Sequence, residues 1–176
     1  MVYVFLADGF EEIEALAPVD ILRRASVDVK TVSINDSLEV KGSHGIKVLA
    51  DILLKDVKDG ADMLILPGGM PGTLNLQKNA VLCDMLKKAD CYIAAICAAP
   101  SVFGELGLLK GKKATCYPGF EDKLEGAEAT GLPVVVDGKV ITSKGAGTAH
   151  LFGFTLLSLL KSSEEAENLK KTMMYE

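Results

Sequence analysis

Cys97 stands in AICAA, residues 95–99, where an apolar run ends and Pro100 follows. A thiol does its chemistry as the thiolate, a nucleophile and a metal ligand. The alanines two residues before and two after Cys97 suit a sharp strand-to-helix turn, where strand and helix backbones come close. This is the spacing of a nucleophile elbow, with alanine where the G-x-S-x-G form has glycine. Pro100 fits the first turn of a helix, where no amide donor is lost. The helix N-terminus would then sit beside the sulfur and favour its anionic form. The same small neighbours also suit a cysteine that merely fills a core, since free cysteine is among the most buried residue types.

Two further stretches offer partners for that thiol. Phe10, Glu14, Ala17 and Ile21 recur at helical spacing, which puts Glu14 on an apolar stripe while Glu11 and Glu12 turn aside. A carboxyl group on a buried stripe loses hydration, so its pKa rises. When neutral it can donate a hydrogen bond to a thiolate, or act as general acid and base during addition to a carbonyl. The alternative is that Glu14 caps and solvates the helix start. The loop PGGMPG, residues 67–72, carries Gly68 and Gly69, whose backbone can approach a ligand closely and whose amides can hold an oxyanion. It also reads as a plain turn. No lysine followed by Ser or Thr closes it, so it is not a phosphate loop.

These residues are held by alternating strands and helices. VYVFLA (2–7) has buried-strand length, and 10–25 has helical periodicity with acids in its first turn and a kink or restart expected at Pro18. Extended pieces follow at 28–34, 38–42 and 46–51, the last two as a hairpin excursion. A buried strand at 62–67 leads into the glycine loop, then a helix over 73–89, a strand over 91–96 and a helix after Pro100. A short strand at 113–116, a strand pair over 133–142 turning at Asp137-Gly138, and helices over 148–160 and 163–174 complete the chain. Continuous apolar strands alternating with helices predict a largely parallel sheet covered on both faces. Sites in such sheets form at the carboxyl ends of the strands. That rule gathers Asp8 to Glu14, Pro67 to Gly72 and Cys97 to Ser101 along one edge.

The 176 residues are 49% hydrophobic, which suits one domain spanning 1–176. A net charge of −5, scattered along the chain, argues against a nucleic-acid footprint, which needs a clustered basic face. The N-terminus has no basic region and meets Asp8, so it reads as a strand and not a signal peptide. No apolar run reaches the roughly 18 residues of a membrane span, and the expectation is a soluble cytoplasmic protein. The 4 cysteines form no C-x-x-C pair and the 2 histidines, His44 and His150, stand alone. A zinc site is therefore not expected, nor are disulfides in a reducing compartment.

The stretches EEIEAL (11–16), LPGGMPG (66–72), AAICAAP (94–100) and SKGAGTAHLFGF (143–154) closely resemble the DJ-one (Parkinson-associated) branch of the ThiJ/PfpI superfamily. The likeness runs in order over essentially the whole chain. It implies a flavodoxin-like three-layer sandwich, a homodimer, Cys97 as reactive nucleophile and Glu14 as its protonated partner. Gly69 and Ala98 would match the amides lining the pocket, with Gly68 beside them. The family has been linked to cofactor-independent glyoxalase activity, to deglycation of methylglyoxal adducts on proteins or nucleotides, to oxidation sensing and to chaperone behaviour. No cofactor or metal is implied.

Tyr117 stands where relatives often place a histidine, which weakens a Cys-His hydrolase of the amidotransferase-like kind. His44 aligns with an arginine that in some relatives reaches across the dimer, although a solvated turn histidine also suits GSHG. Cys116, next to Tyr117, is a possible secondary thiol of the site or a core cysteine, and Cys91 reads as structural. The leading expectation is an enzyme acting on methylglyoxal, glyoxal or their adducts. The alternatives are a sensor or holdase working through oxidation of Cys97, and the cysteine hydrolase.

Overall fold

The computed structural model describes residues 1–175. In chain order its elements are strand β1 (Val2–Leu6), helix α1 (Glu12–Arg24), and strands β2 (Val29–Ser33), β3 (Glu39–Lys41), β4 (Lys47–Leu49), β5 (Ile52–Leu53) and β6 (Met63–Leu66). Helices α2 (Gly72–Lys78) and α3 (Ala80–Lys88), strand β7 (Tyr92–Ile96), helix α4 (Pro100–Glu105) and strands β8 (Lys113–Ala114) and β9 (Glu128–Ala129) follow. Strands β10 (Val134–Asp137) and β11 (Val140–Ser143) and helices α5 (Ala149–Leu160) and α6 (Ser163–Thr172) complete them.

The central sheet has seven strands in the order β10-β11-β7-β6-β1-β2-β5. All of its pairings are parallel except β10 with β11. Because strands β1, β6 and β7 are central, every side chain on them faces a helical layer, and all five residues of β1 are buried. One face packs Val4, Ile65, Ala94 and Ile141 against Phe10, Ile21, Phe152 and Leu157. The other packs Phe5, Leu66 and Ala95 against Leu76, Leu82 and Phe103. Sequence periodicity therefore anticipates the three-layer sandwich, and β1, β6 and β7 end together at the edge that their parallel pairing predicts.

Several local readings change. Pro18 lies inside α1 without ending it. The Cβ-less Gly153 of α5 approaches within 3.2 Å of Pro18 Cα at the place where its Cβ would be, so packing holds the helix through the proline. The single helix expected over 73–89 divides at Asn79, whose side-chain oxygen accepts from the Leu82 amide at 3.0 Å and so starts α3 afresh. The hairpin excursion is present as β3 paired with β4, but β5, which begins three residues after β4 ends, returns to the main sheet beside β2. Strand β9, paired with β8, had no periodic signal at two residues.

Candidate active site

Cys97 leaves β7 with φ of 65°, in the left-handed region that residues bearing a side chain seldom adopt. Its amide donates to the carbonyl of Ser143, the last residue of β11, at 2.9 Å, and its carbonyl accepts from the Tyr117 amide at 2.8 Å. Both backbone groups are thus tied to neighbouring segments, which fixes the turn. Pro100 occupies the first helical position of α4, as the sequence predicts.

Glu14 is 1% exposed, on the stripe with Phe10 and Ile21. Glu11 caps α1 instead, its carboxylate accepting from the Glu14 amide at 2.7 Å. Glu12 does not turn aside: it is buried, because the hairpin folds over it. Its oxygens accept from the His44 amide at 2.8 Å and Ser43 Oγ at 3.3 Å, and meet His44 Nδ1 at 2.7 Å. Glu14 Oε2 accepts from the Gly68 amide at 3.0 Å, and the Cys97 thiol and the Ala146 amide lie beside the carboxyl. A Cβ on Gly68 would lie 2.6 Å from Glu14 Oε2 and 2.7 Å from Cys97 Cβ. Glycine there lets the carboxyl and the thiol meet.

The amides divide their work. Those of Gly69 and Ala98 act on the Cys97 sulfur and favour its anion, whereas that of Gly68 is taken by Glu14. Gly68 therefore orients the carboxyl and leaves two amides beside the sulfur. Burial pushes Glu14 up to about 7, opposed by the Cys97 hydrogen bond and aided by the Glu11 charge. Burial also pushes the Cys97 thiol up to about 12, with the Glu14 charge and hydrogen bond adding to it. The Ala98 and Gly69 amides, which favour the anion, are outweighed, so the free thiolate that the turn suggested is not produced. The two groups act as one unit: it gives up one proton near neutrality and resists giving up the second. One proton is thus retained by the pair above neutrality.

The remaining candidates separate. Tyr117 follows the elbow closely, its ring beside Gly145 and on the side of Glu14. His44 is committed to Glu12, and His150 stacks on Tyr175 with ring centroids 5.7 Å apart. Neither ring is among the groups acting on Cys97. Cys116 is buried in the layer of α2 and α4, opposite to the one Cys97 faces, and burial lifts its thiol to about 11. It belongs to the core and not to the pocket. Glu11, Glu12 and His44 bring potential metal-ligating atoms within 4.8 Å of one another, but the Glu12–His44 bond already engages two of them. Ser143, Gly145 and Ala146 shape the site without having been singled out individually; only the motif SKGAGTAHLFGF marked them.

The DJ-1/PfpI family pattern matches residues 1–159. The chain is 44% identical over 171 residues to Protein DJ-1 homolog B of Arabidopsis thaliana, covering 94% of this chain and 39% of that protein. It thus spans less than half the length of the two plant relatives, DJ-1 homologs A and B. It is 34% identical over 169 residues to the Caenorhabditis elegans protein named glutathione-independent glyoxalase DJR-1.2, covering 93% of this chain and 89% of that one. The solved structure of oxidized Toxoplasma gondii DJ-1 superimposes with a TM-score of 0.94 at 37% identity, over 99% of this chain and 97% of the other. Elbow, buried glutamate, paired glycines and whole-chain likeness agree: the chain belongs to the DJ-1/PfpI family.

Proposed function

We propose that the protein is a cofactor-independent glyoxalase, acting on methylglyoxal or glyoxal and, through the same addition, on their adducts with amines and thiols. The observation that carries this reading is the buried Glu14 carboxyl beside the thiol of a strained elbow, with the Gly69 and Ala98 amides near the sulfur. The Cys97 sulfur adds to the aldehyde carbon of methylglyoxal as its proton passes to Glu14. The carbonyl oxygen becomes an alkoxide within reach of amide donors, where charge development is stabilised. Glu14 gives the thiol proton to the C2 oxygen and then, as a free carboxylate, moves the aldehyde-derived proton from C1 to C2, which oxidises C1 to a thioester and reduces C2 to a carbinol. Water cleaves the thioester, releasing lactate and restoring the thiol. One water is consumed and no external oxidant is needed. A carboxyl group near pKa 7 suits both directions of proton transfer at neutral pH.

The name of the nematode relative supports the chemistry, and the engagement of both histidines elsewhere favours it over a Cys-His hydrolase. We further propose a homodimer through Ile13 and Leu16 of α1 with Ile46 and Leu49 of the β3–β4 hairpin. All four are exposed apolar side chains, on two elements joined by the Ser43 amide's bond to the Phe10 carbonyl. The test is methylglyoxal consumption and lactate formation without glutathione. Wild type should turn over many equivalents, Cys97→Ser none, and Glu14→Gln should be slowed on the order of 100-fold or more. A single stoichiometric adduct followed by arrest would instead support a sensor working through Cys97 oxidation.

A further inference from the structure

Gly145 has φ of 166°, an extended conformation open to any residue, so its backbone does not require glycine. What its missing side chain does is leave a space. The point where a Cβ would begin lies 3.4 Å from Tyr117 Cδ2 and 3.8 Å from Glu14 Oε1. One side of this gap is therefore an aromatic ring edge and the other is the carboxyl that handles the proton. The ring is fixed to the reacting centre, because the Tyr117 amide donates to the Cys97 carbonyl at 2.8 Å and the Tyr117 carbonyl accepts from Phe120 at 3.0 Å. Tyr117 is nevertheless 51% exposed, and it pairs with no other aromatic ring among the described residues. An exposed ring anchored beside a reactive carboxyl has a free surface to offer a ligand. The charge acting on Glu14 from outside the pair is Glu11, also acidic, so an anionic substituent would be repelled.

We propose that Tyr117, across the gap left by Gly145, determines which aldehyde substituent the site prefers: flat, apolar and uncharged groups, such as the phenyl of phenylglyoxal, over the small formyl of glyoxal. This inference rests on the carbonyl-addition reading of the same pocket. The substituent packs on the Tyr117 ring while the aldehyde faces the sulfur of Cys97, so the ring acts on selectivity and takes no proton. Tyr117→Phe keeps the surface, Tyr117→Ala removes it, and Gly145→Ala puts a methyl into the gap at ordinary contact distance.

The experiment measures, for the full chain, the concentration of phenylglyoxal and of glyoxal that protects Cys97 from iodoacetamide, read by mass, together with turnover of each. Comparing the ratio of the two across variants cancels the intrinsic reactivity of the aldehydes. The expected result is a preference for phenylglyoxal that falls about three- to tenfold in Tyr117→Ala, survives in Tyr117→Phe, and falls in Gly145→Ala. An unchanged ratio in Tyr117→Ala overturns the inference, even if both aldehydes are turned over well. A Tyr117-dependent preference in protection without any turnover leaves the inference standing and sinks the enzymatic reading instead.

Discussion

Cys97 and Glu14 meet because Gly68 has no side chain to part them, and their shared proton decides what the site can do at a given pH. Burial raises both groups, so the first proton leaves near neutrality and the second far above it. Alkylation of Cys97 by iodoacetamide should thus rise with a midpoint near 7. In Glu14→Gln the buried thiol must ionise without a base, and the midpoint should move up by about one pH unit or more. A midpoint that stayed where it was would remove Glu14 from the proton path. Cys97 and Glu14 were both legible in sequence, one from small residues around a strand end, the other from an apolar stripe. The division of labour between Gly68 and Gly69 was not, because two adjacent glycines look alike until the direction of each amide is known. The burial of Glu12 was hidden for a similar reason: the hairpin that covers it is distant in sequence.

At the level of elements, the site depends on how closely α1 and α5 pack. A Cβ at Gly153 would meet Ile21 Cδ1 at 2.7 Å and Pro18 Cα at 3.2 Å, so the two helices approach where α5 has no side chain. Gly153→Ala should push α1 outward and cost about 1–3 kcal/mol in urea unfolding. Since Glu14 rides on α1, activity should fall more than stability alone explains. A variant as stable and active as wild type would show that the helices have slack. The order of strands and helices followed from periodicity, because the buried strands of a parallel sheet are continuous apolar runs. Breaks within elements followed less well. Pro18 argues for a kink and Asn79 gives only a weak boundary, yet tertiary packing carries α1 through the first and a side-chain cap splits α2 from α3 at the second.

For the whole molecule, two measurements probe the burial that builds the site. Glu14 holds its proton more tightly folded, at about 7, than at its ordinary 4.5. Its contribution to stability is therefore fully present below about 4.5 and is lost as pH rises through 7, because the native state binds more protons in that window. The loss is on the order of 3 kcal/mol. Thermal unfolding of wild type and Glu14→Gln from pH 4 to 8 should show a difference between them that changes across this range, and parallel curves would contradict it. Separately, Leu49 is 76% exposed on the hairpin. Leu49→Glu should convert the proposed dimer to monomer by light scattering, and an unaltered mass would move the interface elsewhere. Such a surface is poorly legible in sequence, since an exposed leucine on a short strand has the same letters as a buried one.

The left-handed turn at Cys97 has one more consequence. A side chain held at φ of 65° costs about 1–2 kcal/mol that glycine would not. Elsewhere in a protein, alanine is usually the more stabilising of the two small residues, because glycine has more freedom to lose on folding. At this one position the order should invert, with Cys97→Gly melting higher than Cys97→Ala although both lack the thiol. The sulfur is kept in a place where the backbone would be more comfortable without any side chain, so the proposed catalysis and durability make opposing demands on the same residue.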